Sequence, residues 1–410
     1  MEVSRPLKVL NLSHSHKLSK KTWAEKGAGG GDSPSRKEVQ VAQAGDSSSA
    51  ESLERLIRGK VEAAGVPGLS VAVVKGDRVV WERGFGFADL ATSTPATPAT
   101  SYLWFSMTKI VTATAVMRLA EGGKLDLDAP ADEYFRGFKV VSQPTPVTVR
   151  HLLSHSSGLA NPLPIRWVRP ADTAASDHST FVGRLLAKNR RLKFNPGESA
   201  GYSNLGYLVL GEVIADVSGT RYEEYVRREI LSPLGMDRTG FSYPEQPTGN
   251  GAATGYQPLW APLTPLLRAA LPKGVVGHRQ GRYVSFNPFY VKGPAYGGLV
   301  GAVDEAARFV QLHLNGGEVD GVRLLSAESV AEMQKIIPKG GRRDFGLGWF
   351  RSREARERRP DFVEHLGGGA GFWNVLRIYP EESLGVVTMG NTTSYDHESI
   401  LDAIVSTEWT

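Results

Sequence analysis

Residues 101–123 read SYLWFSMTKIVTATAVMRLAEGG, and this stretch decides the fold. From about Phe105 to Glu121 it is apolar on nearly all sides, which predicts a buried helix. Gly122-Gly123 then ends the helix, because glycine readily adopts the conformation found at helix C-termini. Any amine near the start of this helix would be removed from water, and burial lowers the pKa of an amine.

Ser106 and Lys109 lie three residues apart at the start of this predicted helix, so they share one helix face. A serine hydroxyl is a poor nucleophile at neutral pH and needs an adjacent base, which a buried lysine amine can supply. The helix N-terminus also favours a developing oxyanion. Because Ser-x-x-Lys is expected about once by chance in a chain of this size, the motif alone is better explained by an ordinary surface helix.

The tripeptide Tyr202-Ser203-Asn204 stands at the beginning of another predicted helix, Asn204–Ser218. A tyrosine close to a cationic lysine can act as a phenolate-like base, and an asparagine can hold the lysine or a substrate amide. Taken alone, the tripeptide is better explained as an aromatic helix-entry residue followed by an Asn cap.

His365 precedes a glycine run, Gly367-Gly368-Gly369, at the end of a predicted strand. Glycine permits close approach of a substrate to the backbone, and one N–H group could serve an oxyanion hole. The histidine could contact the substrate or a catalytic partner. A strand, and not a helix, follows the glycines, which excludes a nucleotide-binding loop and leaves a tight glycine turn as the alternative.

Two other patterns match known motifs but lack the required context. Gly197–Gly201 has the form Gly-x-Ser-x-Gly, yet the turn signal Phe194-Asn195-Pro196 precedes Ser199, where α/β-hydrolases need a buried strand. His151 and His155 have metal-ligand spacing on one predicted helix face, but the surrounding leucines indicate a packed helix. We therefore predict no metal site and no cofactor.

Strand-like runs lie at both ends of the chain, and helical patterns lie between them. The first two runs, Leu69–Val74 and Val79–Phe87, flank the hairpin signal Lys75-Gly76-Asp77. The clearest later elements are helices Ser179–Asn189, Asn204–Ser218, Arg221–Leu231 and His397–Val405, and strands Phe345–Phe350, Phe362–Leu366, Phe372–Tyr379 and Gly385–Gly390. We predict an α+β fold, in which an antiparallel sheet built from both chain ends is flanked by helices and carries an inserted, mainly helical lobe.

The predicted domain organisation is a tail followed by one domain. Residues 1–50 are rich in Ser, Gly, Lys and Ala, a composition typical of disorder, and order is expected from near Ser52. The domain would span 51–410, with an α/β lobe of about 51–105 and 293–410 and a helical lobe of about 106–292. Within the latter, 241–292 has no clear period and is interpreted as a long loop or a lid-like excursion.

Composition excludes several classes of protein. The chain has 410 residues, 0 cysteines and a formal charge of +5, so neither a disulfide framework nor thiolate chemistry is available. Eight basic and five acidic residues within 1–50 account for +3 of that charge, and the nearly neutral remainder argues against nucleic-acid binding. No apolar run reaches the ~20 residues of a membrane span, and no secretory signal is visible, which makes the cytoplasm the default expectation.

Taken together, the order and spacing of these motifs resemble the serine β-lactamase and penicillin-binding protein superfamily. The resemblance is closest to the class C β-lactamase-like branch, which includes family VIII carboxylesterases, D-aminopeptidases and D-alanyl-D-alanine carboxypeptidases. It covers about residues 52–405. Three more segments look like scaffold signatures of that branch: His151–Leu159, Pro196-Gly197-Glu198 and Leu231–Met236.

The resemblance implies a role for each candidate site residue. Ser106 would form the acyl-enzyme, and Lys109 and Tyr202 would share the general acid–base work. The main-chain N–H groups of Ser106 and Gly368 would form the oxyanion hole, and Gly367 would belong to the same substrate-binding backbone.

Two further positions bear on the substrate. Asn204 would orient the lysine or the acyl side chain, and His365 stands where many β-lactamases carry the lysine of Lys-Thr-Gly. A mostly neutral imidazole would not hold a β-lactam carboxylate as a fixed cation does. We therefore expect a carboxylesterase for short-chain esters, with a β-lactamase or a D-amino-acid peptidase or carboxypeptidase as the alternative.

A non-catalytic penicillin-binding-like sensor or scaffold is the alternative from another class. The presence of Ser106, Lys109 and Tyr202 together argues against it, since a binder could lose any of them. The expected partner is a small-molecule ester or amide substrate, with no nucleic acid, and the oligomeric state is left open.

Overall fold

The computed structural model describes residues 38–141, 144–174, 177–244, 251–262, 264–337, 343–352, 358 and 360–409, with side chains from Ser49 onward. The chain forms two compact units, Met1–Ala44 and Gly45–Thr410. The first described helix begins at Glu38 and not near Ser52. The rest of the predicted tail, residues 1–37, lies outside the described residues, so the tail remains a prediction.

Strands and helices are numbered in chain order. The strands are β1 (Gly68–Lys75), β2 (Arg78–Asp89), β3 (Thr94–Pro95), β4 (Tyr102–Leu103), β5 (Val168–Pro170), β6 (Gly255–Pro258), β7 (Val276–Gln280), β8 (Tyr283–Phe286), β9 (Phe289–Val291), β10 (Val300–Gly301), β11 (Glu318–Val319), β12 (Val322–Arg323), β13 (Arg343–Phe345), β14 (Phe350–Ser352), β15 (Val363–Gly369), β16 (Phe372–Tyr379) and β17 (Leu384–Gly390). The helices are α1 (Glu38–Ala64), α2 (Thr108–Glu121), α3 (Ala131–Tyr134), α4 (Val149–Leu153), α5 (His178–Lys188), α6 (Asn204–Ser218), α7 (Tyr222–Val226), α8 (Thr264–Ala270), α9 (Val303–Leu314), α10 (Ala327–Gln334) and α11 (His397–Val405).

The largest sheet confirms the predicted α+β architecture. Its eight strands run in the order β13-β14-β15-β16-β17-β1-β2-β3, so strands from the two ends of the chain meet in the middle. β1 pairs antiparallel with β17 along its length, from Leu69 opposite Gly390 to Lys75 opposite Leu384. Because side chains alternate along a strand, this register fixes which residues face each side of the sheet.

Both faces of the sheet are buried, as the almost continuous apolar run of β1 requires. Val71 and Val73 belong to one apolar cluster with Ile57 of α1 and Leu401 of α11. Ala72 and Val74 belong to a second cluster, which extends through α2, α6 and α9. The terminal helices therefore cover one face, and the helices from the middle of the chain cover the other.

Helix α2 lies in the interior of the second cluster and is buried along nearly its whole length. The predicted helix Phe105–Glu121 is divided, since a 3₁₀ turn, Phe105–Met107, precedes α2. This division leaves Ser106 in the turn and Lys109 in the first turn of the α-helix. Within the described ranges, no helix combines the length and apolarity needed to cross a bilayer.

Two segments differ from the sequence prediction. Phe345–Phe350 is not one strand, because the chain turns between β13 and β14. Gly348 lies in this turn with φ 85°, and a Cβ there would come within 2.6 Å of Ala113 Cβ on α2, so glycine allows the turn to pack against the helix. The stretch 241–292, which has no readable period, contains the small sheet β6-β8-β7, helix α8 and β9, which pairs with β5.

Candidate active site

The 3₁₀ turn carrying Ser106 packs against the glycine run of β15. Phe105 has φ 47°, a left-handed conformation that is rare for a bulky side chain and is found where surrounding structure enforces it. A Cβ at Gly367 would lie 2.0 Å from the Trp104 carbonyl oxygen, and one at Gly369 would lie 2.3 Å from the Phe105 ring. The glycines are therefore required for β15 to approach the Trp104 backbone and the Phe105 ring, which directly precede Ser106.

Lys109 is fully buried, and its amine contacts three oxygen atoms. Nζ lies 3.1 Å from Ser106 Oγ, donates to Asn204 Oδ1 at 2.8 Å, and donates to the Tyr296 carbonyl oxygen at 2.6 Å. All three partners are neutral. Burial therefore lowers the pKa of Lys109 well below its ordinary value of 10.5.

The three contacts of Lys109 Nζ bear on where the lone pair of a neutral amine would point. A neutral amine has two N–H bonds and one lone pair. If a neutral amine donates its two N–H bonds to Asn204 and Tyr296, its lone pair remains for the Ser106 hydroxyl, whose Oγ lies 3.1 Å away. The structure thus brings Ser106 and Lys109 into contact, and the role of Lys109 as the base stays a prediction.

Tyr202 lies beside this pair, with its ring centroid 5.0 Å from Lys109 Nζ. Burial raises the pKa of Tyr202 to about 12, against the opposing effects of a hydrogen bond with Ser106 and the charge of Arg343. The phenol is therefore protonated at neutral pH, and burial favours the uncharged form of the neighbouring amine. The resting phenol is thus not a phenolate, and the role of Tyr202 in proton transfer stays a prediction.

His155 positions Tyr202, a role that the sequence reasoning missed. Its ring packs on Tyr202 at 4.5 Å, and its Nδ1 accepts a hydrogen bond from the Ser203 backbone N–H at 3.1 Å. Burial and the charges of Lys109, His365 and Arg343 lower the pKa of His155 well below its usual value. A buried neutral ring thus supports the Tyr202 segment. The sequence feature that could have identified His155 is its position within the stretch His151–Leu159.

His365 is buried beside the same tyrosine, 6.2 Å between ring centroids. Its Nδ1 lies 2.9 Å from the Leu366 carbonyl oxygen, so Nδ1 carries the proton and Nε2 is an acceptor. Nε2 is buried and has no hydrogen-bond partner among the residues that the structure describes. Burial and the charge of Lys109 lower the pKa of His365 well below its usual value, so the ring is neutral and can accept a hydrogen bond from a ligand.

Arg343 of β13 is a second residue that the sequence reasoning missed. Its guanidinium carbon lies 4.7 Å from the Phe350 ring and 5.9 Å from the Tyr202 ring. Its charge also lowers the pKa values of His155 and His365. The site therefore holds a half-buried permanent cation, which no motif in the sequence marks, because sheet pairing brings it there.

The two patterns set aside from sequence context lie apart from this chemistry. Ser199 follows a turn at 196–198, with neither a strand before it nor a helix directly after it. His151 lies within α4, where its Nδ1 accepts from the Thr148 backbone N–H in a capping box. His155 lies beyond the end of α4 with φ 55°, so the two histidines do not share a helix face.

Comparison with known proteins agrees with this arrangement. The sequence profile of the Beta-lactamase family matches residues 53–407. Protein flp of Staphylococcus aureus (strain N315) is 24% identical over 354 residues, which cover 84% of this chain and 64% of that protein. The chain thus spans less than two thirds of the length of this curated relative.

Solved structures show the same fold. The octameric penicillin-binding protein homologue from Pyrococcus abyssi superposes with a TM-score of 0.70 at 28% identity, covering 87% of this chain and 76% of that one. EstCE1, a hydrolase with promiscuous acyltransferase activity, superposes with a TM-score of 0.68 at 22% identity, covering 89% of this chain and 99% of that one. At the latter identity the likeness shows the fold alone.

Proposed function

The chain belongs to the Beta-lactamase family, within the serine β-lactamase and penicillin-binding protein superfamily, and we propose that it hydrolyses carboxylic esters through an acyl-enzyme on Ser106. One observation carries the proposal: the buried amine of Lys109 lies 3.1 Å from Ser106 Oγ and has only neutral partners. A base of this kind provides what a serine hydroxyl needs to become a nucleophile.

In acylation, Ser106 Oγ attacks the ester carbonyl carbon and its proton passes to Lys109 Nζ. The carbonyl oxygen becomes an oxyanion, which the N–H groups of Ser106 and Gly368 would stabilise. Collapse of this intermediate breaks the bond to the alcohol, which leaves with a proton. Tyr202, held protonated beside Ser106, is placed to donate that proton and to be recharged by the lysine ammonium.

Deacylation reverses these roles. Water attacks the acyl carbonyl, its proton passes to the same pair, and Ser106 Oγ leaves as a hydroxyl when the proton returns. Lys109 and Tyr202 then have their starting protonation states. Asn204, which accepts from Lys109 Nζ, would keep the lone pair of the amine directed at the serine.

The expectation of an ester substrate rests on His365. Its neutral, buried ring gives a leaving group or acyl chain a hydrogen-bond acceptor, and it does not give a carboxylate a fixed charge. Short-chain esters need no carboxylate clamp, so they match this part of the site.

Arg343 favours a second candidate function, hydrolysis of an amide whose substrate carries a free carboxylate. Its guanidinium lies near Tyr202, and arginine binds carboxylates with two parallel hydrogen bonds. A D-amino-acid peptide or a β-lactam has such a group. In this case Arg343 would bind the substrate carboxylate, as the lysine does in Lys-Thr-Gly proteins.

The nucleophile is tested with a fluorophosphonate probe and with Ser106→Ala. We expect the probe to label Ser106 and the variant to lose activity on the order of 10³-fold or more. Ser199→Ala is the matched control and should retain activity. Labelling of Ser199 would overturn the proposal, and acylation without turnover would instead indicate the non-catalytic sensor.

The substrate class is tested with p-nitrophenyl acetate and butyrate, nitrocefin and D-alanyl peptides. The ester proposal predicts the highest kcat/KM for one of the two esters. Arg343→Gln separates the candidates, because loss of a carboxylate contact raises KM for peptide or nitrocefin about tenfold or more and leaves the ester nearly unchanged. A higher kcat/KM for nitrocefin or a peptide than for either ester would reverse our ranking.

A further inference from the structure

A cavity of about 360 Å³ lies between α5, α6, the start of α7 and the turn Pro294–Tyr296. The first two residues of that turn line the cavity. The third, Tyr296, accepts a hydrogen bond from Lys109 Nζ through its carbonyl oxygen. Neither Ser106 nor Tyr202 lines the cavity, so it is distinct from the proposed substrate site and adjoins the backbone that holds the catalytic base.

Two of the titratable side chains in the cavity, His178 and Glu223, pair with each other. His178 Nε2 lies 3.2 Å from Glu223 Oε1. The hydrogen bond to Glu223 raises the pKa of His178, and the same contact lowers the pKa of Glu223 against the effect of burial. Arg221 also lines the cavity, but its side chain is 81% exposed and its Nε lies 3.9 Å from Glu224 Oε2.

Glu212 forms no salt bridge among the described residues, although the charge of His178, which is paired with Glu223, partly offsets the burial of its carboxylate. It is only 7% exposed, and Oε2 accepts a hydrogen bond from the neutral hydroxyl of Ser179. Within the described part of the chain, Oε1 has no hydrogen-bond partner, and burial raises the pKa of this carboxyl. An ionised carboxylate in this setting lacks the donors that normally offset its burial, so a positively charged group in the cavity would stabilise it.

Apolar side chains, among them Val182, Leu208 and Ala215, line much of the rest of the cavity, together with Tyr222 and a third carboxylate, Asp177. The volume lies in the range of small-molecule sites, which combine apolar walls with a few polar anchors. No group of three His, Asp or Glu side chains among the described residues is placed to hold a metal ion, so an organic cation fits better. We propose that this cavity binds a small ammonium ion with an apolar body, anchored by Glu212, and that its occupancy alters reaction at Ser106.

The turn Pro294–Tyr296 connects the cavity to Lys109, and its contacts explain how the two sites would be coupled. A Cβ at Gly211 of α6 would lie 2.7 Å from Ala295 Cβ, so this part of the turn fits closely against the helix. The Thr112 hydroxyl donates to the Ala295 carbonyl oxygen at 2.6 Å, one residue before the Tyr296 carbonyl that holds Lys109. A ligand that shifts this turn changes the contacts of the base, and by reciprocity the state of the base changes the ligand affinity.

Binding is measured by isothermal titration calorimetry with 2-phenylethylamine, with 2-phenylethanol as the neutral analogue of the same size. We expect the amine to bind at millimolar concentration or below and the alcohol to bind at least about tenfold more weakly. Glu212→Gln should remove most of this preference, while Glu224→Gln, a change outside the cavity, should retain it. Equal affinity for amine and alcohol, no heat from the amine, or an unchanged preference in Glu212→Gln would overturn the site.

Coupling is measured as the rate at which a fluorophosphonate labels Ser106, with and without saturating amine. We expect a severalfold change in the wild-type protein and none in Glu212→Gln, whose melting temperature should not fall. An effect that persists in Glu212→Gln would be direct chemistry of the amine at the active site and would overturn the coupling. The calorimetric measurement of amine binding does not depend on ester hydrolysis. Failure of the proposed function and failure of this site therefore give different results.

Discussion

At Lys109 the protein holds an amine between aromatic rings, away from water. The ring centroids of Tyr202, Tyr207 and Tyr296 lie 5.0, 5.4 and 5.3 Å from Nζ. Aromatic faces attract a cation, yet full burial disfavours the charged form more strongly, and the pKa is lowered. Such a residue reduces stability for the sake of a reactive base, which is a common compromise at active sites.

The neutral state of Lys109 predicts a specific dependence of stability on pH. Burial lowers the pKa of the folded amine well below the ordinary 10.5 of the unfolded one, so between the two pKa values the unfolded state binds more protons. The free energy of unfolding of the wild type should therefore rise relative to Lys109→Met by about 1.4 kcal/mol for each unit of pH between about pH 7 and 9. Urea unfolding at both pH values measures the difference. Parallel curves for the two proteins would mean that the folded lysine is protonated.

The same residue and Tyr202 should act as one proton-transfer unit. Lys109→Ala and Tyr202→Phe should each reduce kcat/KM for p-nitrophenyl butyrate severely, and the double variant should be little worse than the worse single one. In the wild type, kcat/KM should rise toward alkaline pH and level off well below pH 10.5, since only the unprotonated amine can accept the serine proton. Additive losses would show that the two residues act separately.

At the scale of single elements, strand β15 and the Phe105–Met107 turn determine each other's positions. Gly367→Ala would place a Cβ 2.0 Å from the Trp104 carbonyl oxygen. We expect a loss of kcat/KM on the order of tenfold to a hundredfold, because a shift of about 1 Å in a catalytic group has this cost. Gly183→Ala in α5 is the control, since a Cβ there meets nothing within 4 Å. Full activity in Gly367→Ala would show that this close approach does not position Ser106.

Sequence patterns identified the long elements better than the short ones. The helix His397–Val405 has the predicted bounds, and Phe372–Tyr379 has the predicted strand bounds, because each has a periodic apolar pattern of sufficient length. Phe345–Phe350 was predicted wrongly, since two strands of three residues around a glycine turn carry too little pattern to be distinguished from one strand.

At the scale of the whole molecule, the two chain ends stabilise one sheet. Ile57 of α1 is 0% exposed and belongs to the cluster that covers β1 and β17. Ile57→Ala should lower the free energy of unfolding by about 2–4 kcal/mol and leave kcat/KM nearly unchanged at temperatures where the protein is folded. Leu56→Ala, at a neighbouring site that is 45% exposed, should cost less than about 0.5 kcal/mol. Denaturant melts of both variants provide the comparison, and equal losses would show that α1 is not anchored through Ile57.

The sequence by itself determined the antiparallel sheet built from both chain ends, the buried helix after Ser106 and the pairing of Ser106 with Lys109. These features are local or periodic. Strand alternation and helix burial are visible in residue type, and a helix places residues i and i+3 on one face without help from the rest of the fold.

The tertiary structure determines most of the groups that surround that pair, although the family resemblance already implied a contact between Asn204 and the lysine. Asn204, Tyr296 and Arg343 lie far from Lys109 in the sequence, and it is sheet pairing and helix packing that bring them to the site. The pKa of an amine depends on desolvation and on the charges around it. The sequence can therefore place a lysine next to a serine, but it is the folded environment that removes this lysine from water and lowers its pKa.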